Sequence, residues 1–89
     1  MRAVITVIGK DMVGILAKVS NLCYSKNANI IEVTQSVLQD MFAMIMLADI
    51  SKLTCEFREL SAQMQTLGEE LSLSIHVMHE DIFDSMHKI

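Results

Sequence analysis

Apolar and polar positions along this chain change period several times, and each change marks an element. Ala3-Val4-Ile5-Thr6-Val7-Ile8 is β-branched and nearly all apolar, which predicts a first strand over Arg2–Ile8. From Ile15 the apolar residues recur at helical spacing through Val19, Leu22 and Cys23, predicting a helix from Met12 or Val13 to Ser25. Lys26-Asn27-Ala28-Asn29 ends it, since asparagine tolerates the left-handed backbone found past helix ends. A second strand is predicted over Asn29–Val37, with Ile31, Val33 and Val37 on one face and Glu32, Thr34 and Ser36 on the other. Gln39-Asp40 is the expected hairpin turn.

The third strand, Met41–Ile50, does not alternate. Phe42, Met44, Met46 and Ala48 share one face, and Met41, Ala43, Ile45 and Leu47 the other, so both sides are expected to be covered by the chain's own tail or by another subunit. Leu53, Phe57, Leu60, Met64, Leu67 and Leu71 then repeat at fours and threes, the stripe of a second helix. Gly68 is its expected C-cap, unless the helix runs on to Leu71. A fourth strand follows over Ser72–Glu80 with Leu73, Ile75 and Val77 inward. Asp81 is then the expected cap of a short terminal helix with Ile82, Phe83, Met86 and Ile89 as its stripe, and burial of Ile82, Phe83 and Met86 is expected.

The order β-α-β-β-α-β plus a tail helix predicts an α+β, ferredoxin-like sandwich: a four-stranded antiparallel sheet with two helices on one face. Strands one and three are central, and two and four are edges. Residues 30–38 contain no Lys, Pro or Gly, so the second strand lacks the usual devices that blunt an edge. A homodimer through that edge is expected, with further assembly to a tetramer left open.

The chemistry-bearing stretch is Gly9-Lys10-Asp11-Met12-Val13-Gly14-Ile15. It reads as a strand-to-helix turn framed by two glycines. Gly9 is expected to leave the strand through dihedrals other residues avoid, and Gly14 to clear a side chain from the helix mouth. Asp11 is the expected N-cap. First-turn N–H groups lack internal partners and sit at the positive end of the helix dipole, so such a turn can hold a carboxylate or phosphate. Equally, the glycines serve simply to admit a strand to a helix, with Lys10 facing water.

With 89 residues the chain is one domain, and its four aromatic residues and eight methionines predict an aliphatic, adaptable core. The net charge of −4, without a basic cluster, argues against a nucleic-acid partner. The longest apolar run, Met41–Ala48, is far short of a membrane helix, and no signal peptide is evident, so a cytoplasmic location is expected. Cys23 and Cys55 are isolated thiols. His76 and His79 project from opposite strand faces and His87 stands apart, so no metal site or cofactor is expected. No nucleophile-elbow, zincin or Walker pattern supports catalysis.

The glycine turn, the split order and the open edge, together with Asn29-Ile30 and the tail Glu80-Asp81-Ile82-Phe83 through Met86-His87-Lys88-Ile89, resemble an ACT domain, and in particular the stand-alone single-ACT proteins. Residues 1–80 are the expected ACT unit and 81–89 its helical tail. The resemblance implies a non-catalytic sensor of an amino acid or similar small carboxylate, bound between subunits. Carried over, Lys10, Asp11, Met12, Val13, Gly14 and Ile15 line one side, and Asn29, Ile30 and Ile31 of a neighbour the other. Many ACT loops have proline where this chain has Val13, so the loop forgoes that fixed φ. The alternatives are an interaction module without a small ligand, and an enzyme subunit completed by another chain.

Overall fold

In the computed structural model, which describes residues 1–87, the order is β1 (Arg2–Lys10), α1 (Ile15–Ser25), β2 (Asn29–Leu38), β3 (Met41–Asp49), α2 (Phe57–Leu71), β4 (Leu73–His79) and α3 (Glu80–Met86). The strands form one antiparallel sheet in the order β2-β3-β1-β4, so β1 and β3 are central and β2 and β4 are edges. This is the ferredoxin-like sandwich, with a third helix appended. Lys88 and Ile89, including the last position of the expected tail stripe, lie outside the described residues.

The core lies between the sheet and the pair α1 and α2. Ala3, Ile5 and Val7 of β1 and Phe42, Met44, Met46 and Ala48 of β3 point into it, and Ile15, Val19 and Cys23 of α1 and Leu60 and Met64 of α2 close it. The two faces assigned to β3 therefore hold, with Phe42, Met44, Met46 and Ala48 on the core side. Burial pushes the Cys23 thiol up to about 11, because a thiolate there would have no water. Both cysteines are free.

Gly68 is not a cap. It is buried within α2, and a Cβ there would stand 2.7 Å from the Leu73 carbonyl oxygen and 3.1 Å from Ile75 Cγ1. Glycine is present because the helix presses its backbone against β4. The helix runs on to Leu71, and Ser72 takes the left-handed conformation (φ 58°) beyond it. At its other end α2 begins at Phe57, after a turn that carries Leu53, rather than at Leu53 itself.

Three smaller corrections concern the sheet and tail. A bulge between Ile30 and Glu32 shifts the parity of β2, so Ile30 pairs with Ala48 and Val33 with Met46 on the core face. Ile31 is the extra residue and is exposed, instead of sharing a face with Val33. His79, in extended backbone, occupies the N-cap position of α3, and Asp81 lies inside the first turn.

α3 lies over the outer sheet face, where Val4 is buried, Leu47 is half-buried, and Met41, Ala43 and Ile45 stay exposed. The tail thus clothes the second side of β3 only in part. Phe83 is half-buried, whereas Ile82 and Met86, expected to be buried, are exposed on the single chain.

A strand-to-helix turn and an open sheet edge

β1 continues through Gly9 to Lys10, two residues beyond its expected end. Only then does the chain turn, and the backbone N–H of Asp11 donates to the Asp40 carbonyl at 2.8 Å, tying the turn to the β2–β3 hairpin. α1 begins at Ile15 rather than at Met12 or Val13. Its N-cap is Gly14, not Asp11, with φ 93° and ψ 5°.

The two glycines exchange the roles expected of them. Gly9 needs no unusual dihedral; a Cβ there would stand 2.5 Å from Leu73 Cδ2 and 3.3 Å from Leu73 Cα, so its glycine serves close packing. Around Gly14 there is open space within 4 Å, and the left-handed φ is what selects glycine. Gly14→Ala is accordingly expected to cost about 1–2 kcal/mol through backbone strain alone. Chemical denaturation checks this, and an unchanged midpoint would mean the turn adopts another conformation at no cost.

No side chain caps α1, and its first turn holds no acidic residue. The positive end of this eleven-residue helix thus has no carboxylate of its own to neutralise it. Lys10, Asp11, Met12 and Val13 are exposed, Val13 at 99%, and Ile15 is buried as the anchor of the helix. Val13 therefore projects from the turn without touching the body of the domain.

The other expected site residues are elsewhere. Asn29 and Ile30 pair with Asp49 and Ala48, at the end of β3 that joins Arg2 of β1, whereas Lys10 pairs with Met41 at the opposite end. The length of β1 separates the two sets, roughly 25 Å at the rise of a strand. Within one chain, then, residues 10–15 come together and residues 29–31 do not join them.

Asn29 instead borders a polar cleft of about 320 Å3 with Asn27 and with Asp49, Ser51 and Lys52, the last three passed over by pattern reading. Asn27 has a left-handed φ of 60° and donates from Nδ2 to the Lys52 carbonyl at 2.9 Å. The Ser51 backbone N–H donates to Asp49 Oδ1 at 2.9 Å, which with the Ser51 hydroxyl holds the Asp49 carboxyl below the usual carboxylate range. The asparagine-rich helix exit was the one available signal for this cleft.

The histidines do not converge. His79 stacks on Phe57 on the core side (centroids 4.0 Å apart), and His76 meets Ser74 Oγ at 3.1 Å on the outer side. His87 stacks on Phe83, and its Nδ1 lies 2.8 Å from the Phe83 carbonyl oxygen. Among the described residues no three His, Cys, Asp or Glu side chains gather as a metal set, and no helix is long and apolar enough to cross a membrane.

A family model of the ACT domain matches residues 2–78, from the start of β1 almost to the end of β4. The chain belongs to the ACT domain family. Among its relatives, a UPF0237 protein of Listeria monocytogenes serovar 1/2a is 49% identical over 89 residues, with both chains covered entirely. One from Methanocaldococcus jannaschii is 44% identical over 88 residues, 99% of this chain and 98% of that one. Among solved structures, an ACT domain protein from Streptococcus pneumoniae superposes with a TM-score of 0.81 at 33% identity, covering 94% of each chain.

The regulatory subunit of aspartate kinase from Thermus thermophilus shares the fold, with a TM-score of 0.66 and 20% identity over 85% of this chain and 49% of that one. ACT domains are commonly regulatory modules, and this ACT domain carries α3 beyond the matched region.

Proposed function

We propose that this chain is a non-catalytic regulatory module that binds an amino acid or similar small carboxylate metabolite where two copies meet, and so modulates a partner protein. The observation that carries this reading is the mouth of α1: a left-handed Gly14 as N-cap, no capping side chain and no first-turn acid. Such a helix end favours an anion through bare N–H groups and its dipole. Lys10, at the end of β1 that enters this turn, is exposed.

Geometry supports the shared character of the seat. β2 is an edge strand, and antiparallel pairing of two β2 strands sets Asn29 of a second copy opposite Leu38. Leu38 closes onto the hairpin whose Asp40 carbonyl holds Asp11. Residues 29–31 of one copy then approach residues 10–15 of the other to within roughly 15 Å, three strand spacings. A small ligand with the exposed Met12, Val13 and Ile31 side chains spans that interval.

A thermal-shift screen of the twenty amino acids at millimolar concentration tests the reading. A ligand present at ten times its Kd adds about 1.4 kcal/mol to stability, which raises Tm by roughly 6–11 °C in a domain of this size. Gly14→Val removes the rise while leaving association intact. A flat screen removes the sensor reading. The open β2 edge then favours the interaction module, for which Gly14→Val leaves partner capture unchanged.

A further inference from the structure

α1 and α2 share one face of the sheet and run in opposite directions. The Thr54 backbone N–H donates to the Lys26 carbonyl at 3.0 Å, so the exit of α1 adjoins the approach to α2. At the other end α2 leads through Ser72 into Leu73, which pairs with Gly9 of β1, just ahead of the turn that opens α1. Between the two helices runs a groove of about 400 Å3. That is the size of a small-ligand site, roughly 300–1,000 Å3.

The floor of the groove is Leu22 and Leu67, both half-buried and packed on the core. Its walls are polar. Each helix presents one stripe, with Lys18, Asn21 and Ser25 on the α1 side and Gln63, Thr66 and Glu70 on the α2 side. These groups are able to bond across the seam, and they do not. Among the described residues no side-chain hydrogen bond or ion pair joins α1 to α2.

The antiparallel run sets the order of chemistry along the groove. Lys18 and Glu70 lie at the same end, the one nearest Gly9, as opposite charges on opposite walls. One helical turn in from Glu70, about 6 Å at the rise of a helix, stands Thr66. Its Oγ1 donates to the Ala62 carbonyl at 3.0 Å, so the proton is used within α2 and the oxygen keeps only lone pairs for the groove. Ser25 is in the same position on α1, donating to the Leu22 carbonyl at 2.7 Å.

We propose that this groove binds a free α-amino acid whose side chain ends in a carboxamide two methylenes from the α-carbon. An amino-acid head carries both charges on one carbon, which suits a cation and an anion that face each other unpaired: the carboxylate goes to Lys18 and the ammonium to Glu70. The methylenes lie on Leu22 and Leu67. The carboxamide reaches the level of Thr66, where its N–H donates to Thr66 Oγ1 and its oxygen accepts from the Asn21 amide. A side-chain carboxylate brings no donor to Thr66 and is disfavoured. The groove lies wholly within one chain, so it is separate from the seat shared between copies and does not rest on that reading.

Backbone-amide NMR on the full chain, titrated with L-glutamine at millimolar concentration, tests the proposal. Saturable shifts are expected at the residues of α1 and α2 that wall the groove. Lys18 and Glu70 are exposed, so Lys18→Glu and Glu70→Gln keep the fold. Each is expected to weaken glutamine binding by about tenfold or more, the worth of one charge-assisted hydrogen bond. L-Glutamate is expected to bind more weakly than glutamine.

No saturable shift in the groove overturns the proposal, whatever the thermal-shift screen returns. Shifts confined to residues 10–15 and 29–31 overturn it as well, and leave the shared seat standing. So does unchanged affinity in both folded variants, or glutamate binding as tightly as glutamine. The wild-type titration decides even where a variant fails to fold.

Discussion

Gly68→Val is expected to lower the stability of the fold by about 3 kcal/mol, the upper part of the range for overpacking a well-filled core. Two effects oppose each other at this position. Apart from proline, any residue improves on glycine in a helix, by up to about 1 kcal/mol for alanine. Against that, the new Cβ meets the Leu73 carbonyl oxygen at 2.7 Å, and that oxygen belongs to the backbone of a paired strand. Ile75 Cγ1 at 3.1 Å blocks retreat on the other side.

The clash wins. Gly68→Ala, which keeps the helical gain, is expected to lose about 1 kcal/mol net, and valine, which forgoes most of that gain and adds two methyls, about 3 kcal/mol. Urea denaturation measures both. An alanine variant more stable than wild type would show that α2 slides off β4 at little cost.

Met46→Ala is expected to cost about 3 kcal/mol, within the range for emptying a buried large side chain. Met46 is fully buried in β3, its sulfur 4.0 Å from Cys23 Sγ in α1. A small domain has roughly 4–13 kcal/mol of stability in all, so this single cavity removes a quarter or more of it. Met46→Leu, which nearly conserves volume, is expected to cost less than about 1.5 kcal/mol. Thermal melts of the pair separate lost volume from lost sulfur contact. Equal losses would assign the role of Met46 to its sulfur rather than its bulk.

The long periodic segments were legible before any coordinates. In β3 the division of Phe42, Met44, Met46 and Ala48 from Met41, Ala43, Ile45 and Leu47 followed from strand parity, though not which face is buried, and Leu60, Met64 and Leu67 of α2 followed from the helical stripe. What escaped was set by where a second element lies. The oxygen that excludes a Cβ at Gly68 belongs to Leu73, and the side chain that excludes one at Gly9 belongs to the same residue. A glycine's reason for being present is invisible until the second element is placed.

The bulge at Ile31 was likewise hidden, because Ile30-Ile31 offers an apolar residue at either parity. Asp11 looked like a cap by residue type, yet its backbone is claimed by Asp40, and the helix starts four residues later. Of the candidate site, residues 10–15 run from the last residue of β1 through the turn to the first of α1. The distance from them to residues 29–31 followed only from the sheet order.

That distance fixes an arithmetic of occupancy for the proposed sensor. Each chain contributes two halves facing opposite ways, so a lone copy presents no complete seat and a pair presents two. Saturation should then count one metabolite per chain, with affinity that weakens on dilution as the pair dissociates. Two equivalent seats joined through a common seam are also the minimal arrangement in which filling one can bias the other, giving the response a steepness that a single chain could not supply.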